Sequence, residues 1–366
     1  MKFKLLTIGI VGVVATTLAD SFEDEIITVK KVSKFDPSNV EFKKVDIYPQ
    51  VTVKLNDKNA KNADINELQV GSVYTGKDLY IVIKWKDDTL SVQPTLTTDK
   101  YADGISVQFP VSYGRGKTLP YIGMGNEGNP VVVYLRKMVE NRDYVKSFIS
   151  EAFGSLTENK ENTFSLTMDY DKDKKEYTAV FRKSVKPADL KSGIIPVAFA
   201  VWDGDSLNRG GKKNISRWKF LKIEGINPDK AYISYLSWGY GNIGDPNRGK
   251  ELMAQNGCNG CHNYADQNNA LPDLAPNLSK IGGYSNPVYL KESIINPSAV
   301  IIRNLNINRH YDKSQQPDKN GAYPNNEMYT WYTKDEKGRK ISKMPSFAHL
   351  SEQDINDIVA YMKTLK

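Results

Sequence analysis

Short runs in which apolar and polar residues alternate recur from about residue 25 to residue 225. Such alternation places successive side chains on opposite faces of an extended chain, so each run predicts a strand. Clusters of Asn, Asp, Lys and Gly separate the runs, as at 56–62 and 169–175, and are typical of turns. One helical passage is predicted among them, over Asp143–Ser155. The predicted strands are Val51–Leu55, Leu79–Trp85, Ile105–Phe109, Phe164–Met168, Tyr177–Arg182, Ile194–Trp202 and Trp218–Ile223.

After residue 243 the apolar residues recur at helical spacing. Asp245 followed by Pro246 predicts the start of a helix, with the aspartate as N-cap and the proline in the first turn. A second helix is predicted over Pro287–Ile295. The segment Ser351–Asp354 resembles a capping box, and the residues behind it form one apolar stripe. That stripe consists of Ile355, Ile358, Val359, Met362 and Leu365.

These patterns predict a multidomain chain. An N-terminal antiparallel β-sandwich is expected over residues 20–226, because many short strands with frequent turn signals are typical of that fold. A Tyr- and Gly-rich stretch, 227–243, is expected to link it to a C-terminal all-α domain over 244–366. The length agrees, since 366 residues exceed one typical domain.

Residues 1–19 have the pattern of an export signal. Lys2 and Lys4 form a basic start, residues 5–18 are mostly apolar, and Ala19 supplies a small residue before a cleavage point. This stretch is too short to span a bilayer, and no later segment is apolar for long enough, so no transmembrane segment is expected in the mature protein. We therefore expect a protein of the periplasm.

The net charge disfavours one class of partner. The formal charge is +7, and loss of Lys2 and Lys4 with the signal lowers it to +5. This mild excess is compatible with acidic protein partners. Nucleic-acid binding calls for clustered Lys and Arg on a recognisable reader, and the sequence contains none.

Both cysteines of the chain lie in one motif, Cys258-Asn259-Gly260-Cys261-His262. Two thiols at this spacing can each add to a vinyl group of a haem, and the adjacent histidine is placed to bind the iron. C-x-x-C-H therefore predicts one covalently attached haem c. A redox disulfide is the first alternative, although the residues that follow form a polar, Asn- and Pro-rich stretch rather than a βαβ unit. Structural zinc is the second, although the spacing does not fit a zinc finger. Its ligands would be the two thiols and two of His262, His310 and His349.

Residues 244–366 resemble the class I cytochromes c. The resemblance rests on Asp245–His262 as first helix and haem motif, and on Ala275–Leu278 as the loop after it. Lys343–Phe347 resembles the family's methionine loop before the last helix. Gly249 and Tyr361 match its contact between the first and last helices. The resemblance therefore covers the whole predicted helical domain.

A set of iron ligands is implied by this resemblance. His262 and Met344 would bind the iron of haem c, and the carbonyl of Pro276 would accept the imidazole N–H of His262. A thioether ligand favours ferrous iron and raises the potential relative to two imidazoles. Two protein ligands leave no open position on the iron, so an electron carrier without catalytic residues is expected. Other sixth ligands remain open, namely His310, Met328 and His349.

Residues 35–225 resemble the haem b-binding domain of the ethylbenzene dehydrogenase and dimethyl sulfide dehydrogenase γ-subunits, a cytochrome c-552/DMSO reductase-like haem-binding domain. In that family a methionine and a lysine hold the iron. The resemblance implies one non-covalent haem b on Met124 and Lys213, with Lys212 as the alternative lysine. An amine binds iron only when deprotonated, and burial lowers a lysine pKa enough for this. The matching segments are Asp103–Pro110, Gly123–Gly125, Asn129–Val131, Pro196–Gly204 and Lys213–Trp218.

The two resemblances together predict a periplasmic dihaem electron carrier. Its expected partners are redox proteins, among them subunits of a molybdenum oxidoreductase of the dimethyl sulfoxide reductase family. Two alternatives remain open. One is a monohaem c-type cytochrome whose β-domain only docks partners, and the other is a haem enzyme or sensor with an open coordination position.

Overall fold

The computed structural model describes residues 20–50, 63–95, 99–152, 155–267, 274–302, 316 and 330–366. The predicted signal at 1–19 and the predicted strand Val51–Leu55 lie outside these residues. Within the described ranges, no helix combines the length and the apolar character that a membrane crossing requires.

The N-terminal region forms one curled sheet of fourteen strands, so the predicted strand-rich fold is confirmed. Most neighbours are antiparallel, but β1 is parallel to both β4 and β14. Along the sheet the order is β10-β11-β5-β4-β1-β14-β12-β6-β7-β8-β9, with β2 beside β4 and the pair β3-β13 beside β12. The strands are β1 (Ile26–Lys31), β2 (Lys43–Asp46), β3 (Tyr48–Pro49), β4 (Glu67–Tyr74), β5 (Asp78–Lys86), β6 (Gly104–Pro110), β7 (Val131–Val139), β8 (Arg142–Ser150), β9 (Thr157–Glu158), β10 (Phe164–Asp171), β11 (Glu176–Ser184), β12 (Ile194–Trp202), β13 (Asn214–Ile215) and β14 (Lys219–Ile223).

The C-terminal region is helical, as predicted. Its helices are α1 (Lys230–Leu236), α2 (Pro246–Gln255), α3 (Ile281–Tyr284), α4 (Pro287–Ile295) and α5 (Glu352–Thr364), and β15 (Tyr332–Lys334) pairs with β16 (Lys340–Ser342). Short 3-10 turns lie at Phe22–Glu25, Pro37–Asn39, Pro187–Leu190 and Cys258–Gly260. Helix α1 lies inside the stretch 227–243 that was expected to be a linker.

The predicted helix starts are confirmed. The Asp245 side chain accepts a hydrogen bond from the backbone N–H of Asn247 and caps α2. The Ser351 side chain accepts one from the backbone N–H of Asp354 and caps α5. Both caps satisfy N–H groups that have no partner inside the helix.

The predicted helix over Asp143–Ser155 is wrong, because these residues form most of β8. Their apolar spacing fits a helix, but Tyr, Val, Phe and Ile also favour strands. A tight turn decides between the two. Asn141 has φ +54°, so the chain reverses there and β8 pairs with β7 from Val139 opposite Arg142 onwards.

The central strands of the sheet face two separate cores. In β12, residues 197, 199 and 201 lie in a sandwich core between the two halves of the curled sheet. There the ring of Phe181 lies 5.7 Å from Phe109 and 5.0 Å from Tyr134, centroid to centroid. Residues 198, 200 and 202 of the same strand lie in a second core, shared with the helical region. Every residue of β12 is therefore buried.

Helices α2 and α5 cross in close contact. A Cβ on Gly249 of α2 would overlap the backbone carbonyl oxygen of Asp357 in α5. The buried Asp357 carboxylate accepts the backbone N–H of Asp245 at 2.8 Å and pairs with Arg248. The missing side chain thus lets the two helices approach, and the carboxylate ties them together.

We predict that Gly249→Ala destabilises the protein by roughly 1–3 kcal/mol, because the helices must separate to admit the methyl group. Denaturant unfolding of the purified protein measures this change. Lys250→Ala, on the exposed face of the same helix, is the matched control and should change stability by less than about 0.5 kcal/mol. Equal stability of both variants would contradict the close crossing.

Candidate haem sites

The C-x-x-C-H motif begins directly after α2. Gly257 has φ +72°, a left-handed conformation that favours glycine and ends the helix, and the 3-10 turn Cys258–Gly260 follows. The backbone N–H of His262 donates to the carbonyl of Cys258 at 2.9 Å. This turn fixes the imidazole relative to the two thiols.

The His262 side chain is buried, with 8% of its surface exposed. Its Nδ1 lies 2.7 Å from the carbonyl oxygen of Pro276, as the sequence implied. A carbonyl can only accept, so Nδ1 carries the proton and Nε2 keeps a lone pair for a metal. Burial lowers the pKa of His262, which also favours the neutral, ligating form.

The alternatives for the cysteine pair find little support in this geometry. Cys258 and Cys261 are not joined in a disulfide, and burial raises the pKa of the Cys258 thiol to about 11. Redox-active C-x-x-C pairs have lowered thiol pKa values instead. Among the described residues, these thiols and His262 do not converge with one another as ligands of a single metal ion.

Two tyrosines beside the motif carry buried hydroxyls. The rings of Tyr264 and Tyr361 meet edge to face, 6.2 Å apart between centroids. Neither hydroxyl has a hydrogen-bond partner among the described residues. Buried polar atoms normally have partners, so this corner of the domain suits a ligand with polar groups, such as the carboxylates of a haem.

Met344 lies in a loop between β16 and α5 and is half-buried. We call residues 343–350 the Met344 loop. The Phe347 N–H donates to the carbonyl of Ile294 at 3.0 Å, and the Ser346 hydroxyl donates to Ile295 at 2.6 Å. The loop is therefore fixed to the C-terminal end of α4. His349, an alternative ligand, is exposed, while His310 and Met328 lie outside the described residues.

Met124 lies in a strained turn at one end of the second core. Its φ is +76°, a left-handed value that is unfavourable for a residue with a Cβ. The backbone N–H groups of Met124 and Gly125 donate to Ile122 and Tyr121, at 2.9 and 2.8 Å. The Gln108 side chain in β6 donates to the same Ile122 carbonyl at 3.1 Å. These bonds fix the backbone of the Met124 turn next to β6.

Lys213 lies towards the other end of the same face. Its side chain is buried, its Nζ stands 5.0 Å from the ring centroid of Trp202, and burial lowers its pKa to about 8. Trp202 is opposite Gly104 in the sheet, four residues along β6 from Gln108. The Met124 and Lys213 ends are thus roughly 14 Å apart along the strand.

Small residues cover the face between these two ends. Ser106, Ala198 and Ala200 are buried, and Ser106 is directly opposite Ala200 in the β6–β12 pair. Directly opposite residues share a face, so these side chains lie side by side. Small residues between a thioether and a low-pKa amine leave room for an iron porphyrin held between the two donors.

Lys137 is a neighbour of this site that the sequence reasoning missed. Its Nζ lies 5.8 Å from the Trp202 ring centroid, and burial lowers its pKa. Alternation in β7 gives the available signal, since Val131, Val133 and Leu135 share its face and belong to or pack on the second core. A lysine in register with core residues marks a candidate for a polar role inside the fold.

Helix α4 contacts the loops of both candidate sites. We call residues 119–127 the Met124 loop. In it, the Tyr121 ring lies 5.6 Å from that of Tyr289 in α4, and Glu127 pairs with Lys340 at the start of β16. The C-terminal end of the same helix holds the Met344 loop. Six residues of helix, or about 9 Å, separate the two contacts.

A buried group of hydrogen-bonded side chains joins the sheet to α3 and α4. We call Arg217, Asn286 and their partners the polar lock. Arg217 pairs with Asp20 and Glu25 and donates to the backbone carbonyls of Gly282 and Gly283 in α3. Its side chain is only 5% exposed. Hydrogen bonds are directional, so these contacts fix the orientation of α3 relative to the sheet.

Asn286, directly before α4, completes the lock. Its side chain accepts the backbone N–H of Trp218 and donates to the carbonyl of the same residue, both at 3.1 Å. It also donates to the Tyr240 hydroxyl at 2.8 Å. One side chain thus replaces a missing strand partner at the entrance to β14.

The fold and these sites define a two-domain haem protein of the electron-transfer class. Residues 31–193 match the ethylbenzene dehydrogenase family model, and residues 246–366 match the cytochrome c family model. The chain therefore consists of an ethylbenzene dehydrogenase-type domain followed by a cytochrome c domain, and it is a haem-binding electron-transfer cytochrome.

One relative is named "Putative respiratory nitrate reductase heme subunit ORF7" and comes from Haloferax mediterranei. It is 28% identical over 186 residues, which cover 49% of this chain and 64% of the relative. Two structures of a family 9 carbohydrate binding module from Caldicellulosiruptor kristjanssonii, in complex with glucose and with cellotriose, have TM-scores of 0.33 and 0.32 at 10% and 11% identity. They cover 56% and 55% of this chain and 98% and 95% of the modules. Such low scores carry no functional conclusion.

We predict that Asn286→Ala destabilises the folded protein by roughly 3 kcal/mol, because the buried N–H and C=O of Trp218 both lose their partner. Thermal or denaturant unfolding measures the loss. Asn247→Ala, an exposed asparagine in α2, should stay within about 0.5 kcal/mol of wild type. A neutral Asn286→Ala would show that the lock does not hold the two regions together.

Proposed function

We propose that this protein is a periplasmic dihaem electron carrier. One haem c is bound covalently by Cys258 and Cys261 with His262 and Met344 on its iron. One haem b is bound by Met124 and Lys213 in the β-domain. The two family matches support one haem site in each domain. The burial of His262 and Lys213, and the Pro276 carbonyl that orients His262, support the choice of residues.

The observation that carries the proposal is the position of α4 between the Met124 loop and the Met344 loop. The two candidate methionine ligands belong to loops fixed on one short helix, and the polar lock of Arg217 and Asn286 holds that helix on the sheet. Both sites therefore keep a constant separation, as electron transfer within one chain requires.

Each residue has a defined task in this proposal. A bound haem supplies the change between ferric and ferrous iron. The Pro276 carbonyl orients the imidazole of His262, and the thioether of Met344 would be the second protein ligand of that iron. Burial lowers the pKa of the Lys213 amine to about 8, which makes it easier for a metal to displace the proton, and the strained turn fixes the backbone of Met124. With two protein ligands each, neither iron would offer a position for substrate.

The partner and the compartment belong to the same proposal. Export is supported by the basic and apolar pattern of residues 1–19, with cleavage near Ala19. A subunit or redox partner of a molybdenum oxidoreductase of the dimethyl sulfoxide reductase family is supported by the match of residues 31–193. The name of the Haloferax relative supports a haem subunit of a respiratory oxidoreductase.

The pyridine haemochrome assay tests the proposal, because it counts haem b and haem c separately. We expect one of each in the wild-type protein. Lys213→Ala should lose the non-covalent haem b and keep the covalent haem c. Lys212→Ala, which removes the neighbouring half-buried lysine, is the matched control and should keep both.

Each other outcome of this assay has a definite meaning. Wild-type protein with haem c alone would overturn the dihaem proposal in favour of a monohaem cytochrome with a docking domain. Loss of haem b from Lys212→Ala but not from Lys213→Ala would move the ligand by one residue. Absence of covalent haem would return the cysteine pair to the zinc or disulfide alternatives.

A second experiment tests Met344 through carbon monoxide binding to the reduced protein. Wild-type protein is expected to bind little, since both axial positions are filled. Met344→Ala should bind carbon monoxide readily, and His349→Ala should behave like wild type. The opposite order would make His349 the ligand, and ready binding by wild type would favour a haem enzyme or sensor.

A further inference from the structure

Three aspartates meet at one end of the β-domain, in a group that neither haem site uses. Asp87 follows β5, Asp103 precedes β6 and Asp203 follows β12, so each comes from a different segment of the sheet. One carboxylate oxygen from each lies within 4.8 Å of the others. All three residues are at least nine-tenths buried, with exposed fractions of 8%, 0% and 8%.

Hydrogen bonds hold these carboxylates as acceptors. Asp103 accepts the hydroxyl of Tyr177 and the backbone N–H of Ser91, both at 2.6 Å, and the N–H of Gly204 at 2.8 Å. Both oxygens of Asp103 are therefore occupied by donors, as an ionised carboxylate requires. Only a lone pair remains for a further ligand.

The other two aspartates are held by their own loops. Asp87 accepts the N–H and hydroxyl of Thr89 on one oxygen, at 3.0 and 3.2 Å. Asp203 accepts the N–H and hydroxyl of Ser206, at 3.1 and 2.6 Å. Each carboxylate therefore has a fixed orientation and keeps lone pairs that face the group.

Among the described residues, one carboxylate oxygen of the group lacks a hydrogen-bond partner. The second carboxylate oxygen of Asp87, Oδ2, is buried and accepts no hydrogen bond from the described residues. None of the three aspartates forms an ion pair with a described lysine or arginine. A buried, ionised oxygen without donor or counter-charge is costly, and a cation removes that cost.

The raised pKa values of two of the aspartates agree with this geometry. Burial, and secondarily the charge of Asp203, raise the pKa of Asp87 to about 6. Burial, with a contribution from Asp87, raises the pKa of Asp103 to about 7. The charge of Asp87 is thus repelled by Asp203 and by Asp103, in a place where little water screens them.

We propose that Asp87, Asp103 and Asp203 form a binding site for one calcium ion. Carboxylate oxygens are the ligands that hard cations prefer, and calcium tolerates the irregular geometry of ligands from three separate segments. The remaining positions of its six to eight oxygen ligands are left to backbone carbonyls and water. Three carboxylates also give the site a net charge that a divalent ion reduces to −1.

The ion would link the two halves of the curled sheet. Asp103 and Asp203 extend from the adjacent strands β6 and β12, whereas Asp87 extends from β5 in the other half of the curled sheet. A shared ion therefore closes the sandwich at this end. It also fixes the start of the loop 203–213, which runs from Trp202 to Lys213, so calcium should steady one end of the candidate haem b site.

Equilibrium dialysis of the full-length holoprotein against labelled calcium tests the site. The protein is first freed of divalent ions with a chelator and desalted. We expect one saturable calcium per chain with a dissociation constant no weaker than about 1 mM, and weaker binding of magnesium. The thermal midpoint should rise with calcium concentration, because the ion binds the folded state.

Asp87→Asn is the diagnostic variant, since it keeps the shape and removes one charge. It should weaken calcium binding by on the order of tenfold or more. Without calcium it should be as stable as wild type or more stable, because the repulsion is relieved. Asp88→Asn is the matched control, an adjacent aspartate whose side chain is 85% exposed and pairs with Lys175, and it should bind calcium like wild type.

The opposite results are equally clear. Wild-type protein that binds no calcium, with a midpoint independent of calcium, would overturn the site and leave a shared proton to hold the carboxylates together. Calcium binding that survives in both Asp87→Asn and Asp203→Asn would place the ion elsewhere. The wild-type measurement alone decides whether calcium binds, so the proposal can be contradicted even if a variant fails to fold.

Discussion

The structure depends on a sheet whose central strands have no face left for solvent. Alternate residues of β12 enter two different cores, and the second core is complete only when the helical region covers it. The free energy gained by hydrophobic burial is roughly proportional to the apolar area removed from water. Separating the two regions would expose Trp218, Phe220 and their neighbours together and would lose that free energy. The cytochrome c domain is thus part of the fold of its partner domain, and the pair behaves as one unit.

Apolar contact alone does not fix orientation, and the polar groups at the junction supply it. Arg217 and Asn286 satisfy backbone groups of the opposite region, which restricts how α3 and α4 can sit on the sheet. The positions of the two candidate sites are restricted in the same way, because the Met124 loop and the Met344 loop both contact α4. A requirement of folding and a requirement of electron transfer are therefore met by the same contacts.

Alternation and capping predicted six strands of the sheet and three helices, because they report on local burial and on unpaired backbone groups, but β1, β4 and β7 were not predicted. The pattern failed at Asp143–Ser155, where helical spacing coincided with strand-forming residues and the turn at Asn141 decided the outcome. It could not show that β12 serves two cores, since a strand buried on both faces reads only as a continuous apolar run. The cysteine motif predicted the candidate haem c site directly, inside the region that matches the cytochrome c family model. The calcium candidate escaped notice because its three aspartates are 16 and 100 residues apart along the chain.

The backbone of Met124 has a consequence for substitution at this position. A left-handed φ costs any residue with a Cβ of the order of 1–2 kcal/mol, and glycine alone avoids this penalty. Mutation towards glycine at this position would relieve that strain, whereas loss of the side chain that packs on the second core would oppose it. The backbone alone therefore does not favour methionine here, and its retention depends on what the side chain contacts.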